Sequence, residues 1–178
     1  IRQKRYRESL RIYNKLILDK KISSEVYYYR ALALVQTEQW NSAFKALDQL
    51  LLEIPNNPEV LNFCGYTFVD QNVRLNEGLK LIEKAVEIDP ENGFYIDSLG
   101  WANYRVGNID NAILYLERAV ELEPNEIEIS DHLGDAYWAN DRKKEAFLLW
   151  KRSLVLEGSD SLKLKIKKKI LENKVNHD

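Results

Sequence analysis

Two consecutive stretches of this chain carry the same pattern, thirty-four residues apart. Aligning residues 93–126 with 127–160 sets Leu99-Gly100 on Leu133-Gly134, Ala112 on Ala146, Leu116 on Trp150, Ala119 on Ser153 and Pro124 on Gly158. A fixed period of this length narrows the choice of fold sharply. A unit so short cannot hide its apolar faces alone, so it must stack on copies of itself. Two earlier units obey the same rule. Residues 24–57 supply Tyr27, Ala31, Ala43, Leu47, Leu50 and Pro55, and residues 58–92 supply Leu61, Cys64-Gly65, Gly78, Ile82, Ala85 and Pro90. The second of these carries one extra residue between Asp70 and Asn76.

Inside each unit the apolar residues recur at helical spacing, as in Ala112, Leu116, Ala119 and Val120. Small residues (Gly65, Gly100 and Gly134 in the first half, Ala43, Gly78, Ala112 and Ala146 in the second) mark places where two helices can cross closely. Pro55, Pro90 and Pro124 close the second helices, because proline cannot continue a helix and disfavours helix in the residue before it. The pattern predicts helices over 3–19, 24–37, 40–53, 58–70, 76–88, 93–106, 109–121, 127–139, 142–155 and 161–174. Residues 1–21 read as the second helix of a unit whose first is absent, and 161–178 as a capping helix. With no Pro-, Gly- or Ser-rich linker between units, 1–178 is expected to be one array.

The order aromatic, Leu-Gly, aromatic, Ala, Phe, Ala, Pro over this period resembles the tetratricopeptide-repeat family. That resemblance implies an all-α fold, a right-handed α-α superhelix or solenoid of helical hairpins whose first helices line a concave wall. In style the last three units are similar to bacterial tetratricopeptide proteins, some of them exported lipoproteins that act as adaptors in proteolysis. The resemblance therefore implies a non-catalytic scaffold that binds a protein or peptide, an adaptor in assembly or proteolysis. It leaves the compartment open between bacterial cytoplasm and periplasm.

Carried onto this sequence, the family's wall positions supply a candidate peptide-binding face. Its residues are Tyr28, Asn62, Tyr66, Phe94, Asp97, Trp101, Tyr104, Arg105, Asp131, Asp135 and Trp138. Aromatic anchors beside placed carboxylates favour an apolar or basic segment. Trp101 and Trp138 are the first choices for the groove, since Leu99 and Leu133 already serve the helix crossing. The aromatics and two of the carboxylates also have a structural alternative. The aromatics can pack on the next hairpin, and Asp97 and Asp131 can accept hydrogen bonds from the neighbouring unit. The family's clamp for a terminal carboxylate needs Lys and Asn at wall positions where this chain has Tyr28, Asn62, Asp97 and Asp131, so a chaperone-tail adaptor is not expected.

Charge supports that view. The net charge of −2 conceals basic ends and an acidic body: residues 1–21 carry +6, residues 161–178 carry +4, and 22–160 carry −12. An acidic body repels phosphate, so neither nucleic acid nor an RNA-associated repeat function is expected. The basic tail admits three uses. It can cap the last hairpin through Leu164, Leu171 and Val175 with its lysines in water, touch an anionic membrane, or dock on a second copy to give a homo-oligomer. A structural homo-oligomerisation module is the alternative to the peptide scaffold.

No chemistry beyond binding is indicated. His132 and His177 are the only histidines and have no partner at metal-ligand spacing, so His132 reads as a packing or surface residue. Cys64, the single cysteine, reads as a buried small hydrophobe. Neither a phosphate-binding glycine loop nor a nucleophile elbow occurs, and no cofactor is expected. No apolar run approaches a membrane span. A start at Ile1 and the absence of Met suggest a piece of a longer protein, whose export signal or lipid anchor would lie elsewhere.

Overall fold

The computed structural model describes residues 2–18 and 23–174. Within them the chain forms ten α-helices: α1 (Arg2–Leu18), α2 (Ser24–Gln36), α3 (Trp40–Glu53), α4 (Pro58–Asp70), α5 (Leu75–Ile88), α6 (Gly93–Arg105), α7 (Ile109–Leu122), α8 (Ile127–Ala139), α9 (Lys143–Ser153) and α10 (Asp160–Lys174). The pairs α2–α3, α4–α5, α6–α7 and α8–α9 are antiparallel hairpins. Each stacks on the next, and the first helices α4, α6 and α8 also touch one another. The architecture is the expected helical solenoid.

The repeat is visible in how each hairpin turns. Residues Glu38, Asn72, Gly107 and Asp141 occupy one repeat position, and all adopt left-handed φ values of 56°, 56°, 88° and 62°. Each first helix closes with a bond from the N–H five residues on: Gln39 to Leu34, Val73 to Phe68, Asn108 to Asn103 and Arg142 to Tyr137. This 6→1 closure is the Schellman motif, which uses a left-handed residue to satisfy carbonyls that the helix end would leave open. The extra residue of the second unit appears as a second left-handed residue, Arg74 at φ 47°, which delays the start of α5 by one position. At the opposite ends, Asn57 and Asn92 cap α4 and α6 by accepting from the N–H groups of Val60 and Tyr95 at 3.0 and 3.2 Å.

Packing follows the large-beside-small rule expected from the spacing. Leu47, Ile82, Leu116 and Trp150 share a repeat position and are 0, 0, 0 and 1 % exposed. Where α4 crosses α5 the backbones nearly touch: a Cβ on Gly65 would lie 2.7 Å from the Gly78 carbonyl oxygen, and one on Gly78 would lie 2.8 Å from the Gly65 oxygen. Gly65→Ala is therefore expected to cost about 2 kcal/mol, read as a lower urea midpoint, because the obstruction is backbone and cannot rotate aside. Cys64 beside it is fully buried, as expected, and burial with nearby Asp48 pushes its thiol up to about 12.

The C-terminal helix departs from expectation. Leu164 and Leu171 do not cover the last hairpin; they are 69 and 66 % exposed. Ile166 is fully buried instead, with Leu162 and Ile170 packed beside it against the cluster that holds Trp150. Nor do all the lysines face water, since Lys169 shares the inward stripe with Leu162, Ile166 and Ile170. That stripe follows helical spacing, and two carboxylates on α8 hold Lys169 at its inner edge. Val175 and His177 lie outside the described residues.

Candidate functional site

Five of the candidate wall residues line one cavity. Tyr28 from α2, Asn62 and Tyr66 from α4, and Phe94 and Asp97 from α6 surround a space of about 310 Å³, together with Glu59 and Glu128. Each comes from a first helix, because equivalent positions of successive units stack along the same side of the solenoid. The Tyr28 hydroxyl donates to Glu59 at 2.9 Å, and Tyr66 reaches across two units to Glu128 at 3.3 Å. Burial and then these carboxylates hold both phenols well above the ordinary tyrosine range, so both keep their protons. Phe94 is half exposed, and Asn62 Oδ1 is buried with no hydrogen-bond partner.

A second group forms a stacked strip beside the cavity. Trp101 lies between Tyr104 and His132, with ring centroids 4.9 and 4.3 Å away and both rings nearly parallel to it. Arg105 sits 5.7 Å from the indole and donates to the Asp70 carbonyl at 3.1 Å. His132 is buried, and its Nδ1 contacts both oxygens of Asp97 at 2.9 and 3.2 Å. Burial alone would keep this imidazole neutral. The Asp97 charge and hydrogen bond, helped by Glu128 and Asp131, outweigh it and lift the pKa to about 9. His132 is thus a cation at neutral pH.

The other two candidate carboxylates belong to the chain's own tail. Lys169 Nζ lies 2.7–2.8 Å from all four oxygens of Asp131 and Asp135. Asp135 also accepts from the Trp150 indole at 3.1 Å. Burial, assisted by Asp131, raises the pKa of Asp135, while Lys169 pulls it down. Burial works against the charge of Lys169 itself, but the two carboxylates outweigh it and raise its pKa. Trp138 leans on the second helix of its own hairpin, edge-on to Phe147 and tilted on Trp150 at 5.7 and 5.5 Å. Neither Trp101 nor Trp138 is among the residues lining the cavity.

Asp97 thus lines the cavity while paired internally, and Asp131 and Asp135 are paired internally away from it. Asp97 and Asp131 take the structural alternative weighed for them, and Asp135 joins them: each is answered by a cation further along the chain, at separations of 35, 38 and 34 residues respectively. Opposite charges at the repeat distance were the available sign. Glu59 and Glu128, on the first helices α4 and α8, complete the cavity. Among the described residues no group of three or more His, Cys, Asp or Glu is arranged to hold a metal ion, and no helix is long and apolar enough to cross a membrane.

Known proteins place this geometry in context. A family profile described as tetratricopeptide repeat matches residues 97–126. A TPR repeat-containing protein of Pseudomonas aeruginosa, PA4667, is 39 % identical over 72 residues, 40 % of this chain and 12 % of that protein. The mitochondrial import receptor subunit TOM70 of Rattus norvegicus is 30 % identical over 90 residues, 51 % of this chain and 15 % of the receptor. The matches therefore span only a small part of either relative's length. Among solved structures, MamA from Desulfovibrio magneticus RS-1 superposes with a TM-score of 0.73 at 23 % identity, covering 84 % of both chains. TTC0263, a thermophilic TPR protein of Thermus thermophilus, gives 0.76 at 19 % identity over 94 % of this chain and 91 % of that one. These likenesses concern the fold.

Proposed function

From a chain built of tetratricopeptide repeats, we propose that the face made by its first helices holds a segment of another protein, as a scaffold or adaptor without catalytic chemistry. The observation that carries this reading is the cavity among α2, α4, α6 and α8, where aromatic surface and unspent hydrogen-bond acceptors meet. Phe94 is half exposed at this cavity and so has apolar ring surface left to bury against a ligand. Aromatic anchors ringed by polar groups make up the usual binding hot spot. The acidic lining also disfavours a phosphate backbone, so a polypeptide fits better than a nucleic acid.

The test is selection from a random library of 12-residue peptides against the whole chain, followed by chemical-shift mapping of the winners. Shifts are expected to cluster on α2, α4 and α6, and Phe94→Ala should weaken binding about tenfold, as expected for an interface anchor. Selected peptides that shift only the outer helices α3, α5 and α7, or a library that yields no binder, would contradict the proposal.

A further inference from the structure

The cavity offers an unbalanced set of hydrogen-bonding groups. The hydroxyl protons of Tyr28 and Tyr66 are spent on Glu59 and Glu128, and that of Ser98 on the Phe94 carbonyl. What these residues still present is acceptor capacity. An ionised carboxylate has room for about four hydrogen bonds, and Glu59 and Glu128 each receive one from a tyrosine. Asn62 Oδ1 adds a third acceptor, buried and unused. Among the described residues no Lys or Arg lines the space, and the nearby His132 cation is committed to Asp97.

Such a set selects a group made only of donors and carrying positive charge. Aromatic walls from Tyr28, Tyr66 and Phe94 narrow the choice further. A guanidinium is planar, stacks on aromatic faces, keeps its charge and forks its N–H groups toward separate acceptors. An ammonium lacks the plane. The same wall already holds a basic side chain one hairpin away, since Lys169 of α10 is held between Asp131 and Asp135.

We infer that the cavity bounded by Tyr28, Glu59, Asn62, Tyr66, Phe94 and Glu128 is a specificity pocket for an arginine side chain of the bound polypeptide. This rests on the proposed function and names the residue type its site reads. The arginine enters with its plane against the rings, its N–H groups meeting Glu59, Glu128 and the Asn62 carbonyl. The rest of the segment lies along the wall.

The test uses the whole chain and three peptides, acetyl-AAARAAA-amide and its citrulline and lysine counterparts. Citrulline keeps the planar shape and removes the charge. Titration followed by amide chemical shifts should show the arginine peptide binding at least tenfold tighter, with shifts at Asn62, Tyr66 and Phe94. The Glu59→Gln, Glu128→Gln double variant should abolish the preference. Both glutamates are exposed, so the variant is expected to fold, and unchanged circular dichroism checks this. Equal binding of the arginine and citrulline peptides at the wall would overturn the arginine pocket and leave the proposed function standing. Preference retained by the double variant would also overturn it. A lysine peptide that matches the arginine one would overturn the guanidinium assignment. If neither these peptides nor any library peptide binds, both proposals fall together.

Discussion

Lys169→Met detaches α10 from the end of the solenoid and lowers stability by about 3 kcal/mol, in the range for breaking a buried ion pair from one side. Asp131 and Asp135 are 7 and 16 % exposed in their side chains and face each other across the ammonium. Removing the cation leaves two adjacent carboxylates in a poorly solvated place with only the more distant His132 charge to offset them, and His132 is already paired with Asp97. Methionine fills the space but supplies no charge. The loss should concentrate locally, because a repeat array opens from its ends. Hydrogen exchange along 160–174 is therefore expected to accelerate strongly while α4 to α7 change little. Adding Asp135→Asn to Lys169→Met should restore part of the loss, since it removes one of the stranded charges. Uniform acceleration, or none, would show that Lys169 does not hold the helix.

Between pH 6.5 and 9.5 the chain should lose about 3 kcal/mol from a single pair, Asp97 with His132. In the unfolded chain the histidine titrates near 6.5, and in the fold it titrates near 9. A group whose pKa rises on folding stabilises fully where both states are protonated, below about pH 6.5. That contribution drains away as pH climbs through about 9, where the folded protein also loses the proton. The groups that face the imidazole are Asp97 and Trp101 from α6, with Glu128 and Asp131 on its own helix. Urea midpoints taken across this range should fall steeply for the wild type. They should be lower and flatter for Asp97→Asn, which also returns the His132 ring resonances to titration below pH 7. Parallel curves for the two proteins would refute the linkage.

Both effects concern side chains whose partners lie one unit away, and this marks what was legible in advance. The period, the turn positions, the proline stops and the small-large crossings are local properties, so reading the chain in one direction was enough. The left-handed residues 38, 72, 107 and 141 even keep the repeat through the insertion. The candidate residues were legible as a set of positions but not as a cavity. Position alone made Trp101, Trp138, Asp131 and Asp135 equivalent to Tyr28 and Asn62, and the fold separated them.

The sequence by itself determined the helices, their pairing into hairpins and the stacking of those hairpins. A unit this short cannot cover its periodic apolar face alone, and stacking on the next unit covers it. Only the tertiary structure decided which of the candidate carboxylates are already paired within the chain. Whether a carboxylate is open or spent depends on what the next unit places within about 3 Å of it, and on how far a capping helix rotates to bury Ile166 and bring Lys169 inward. Those are differences of a few ångströms between groups some thirty-five residues apart, and helical periodicity does not encode them.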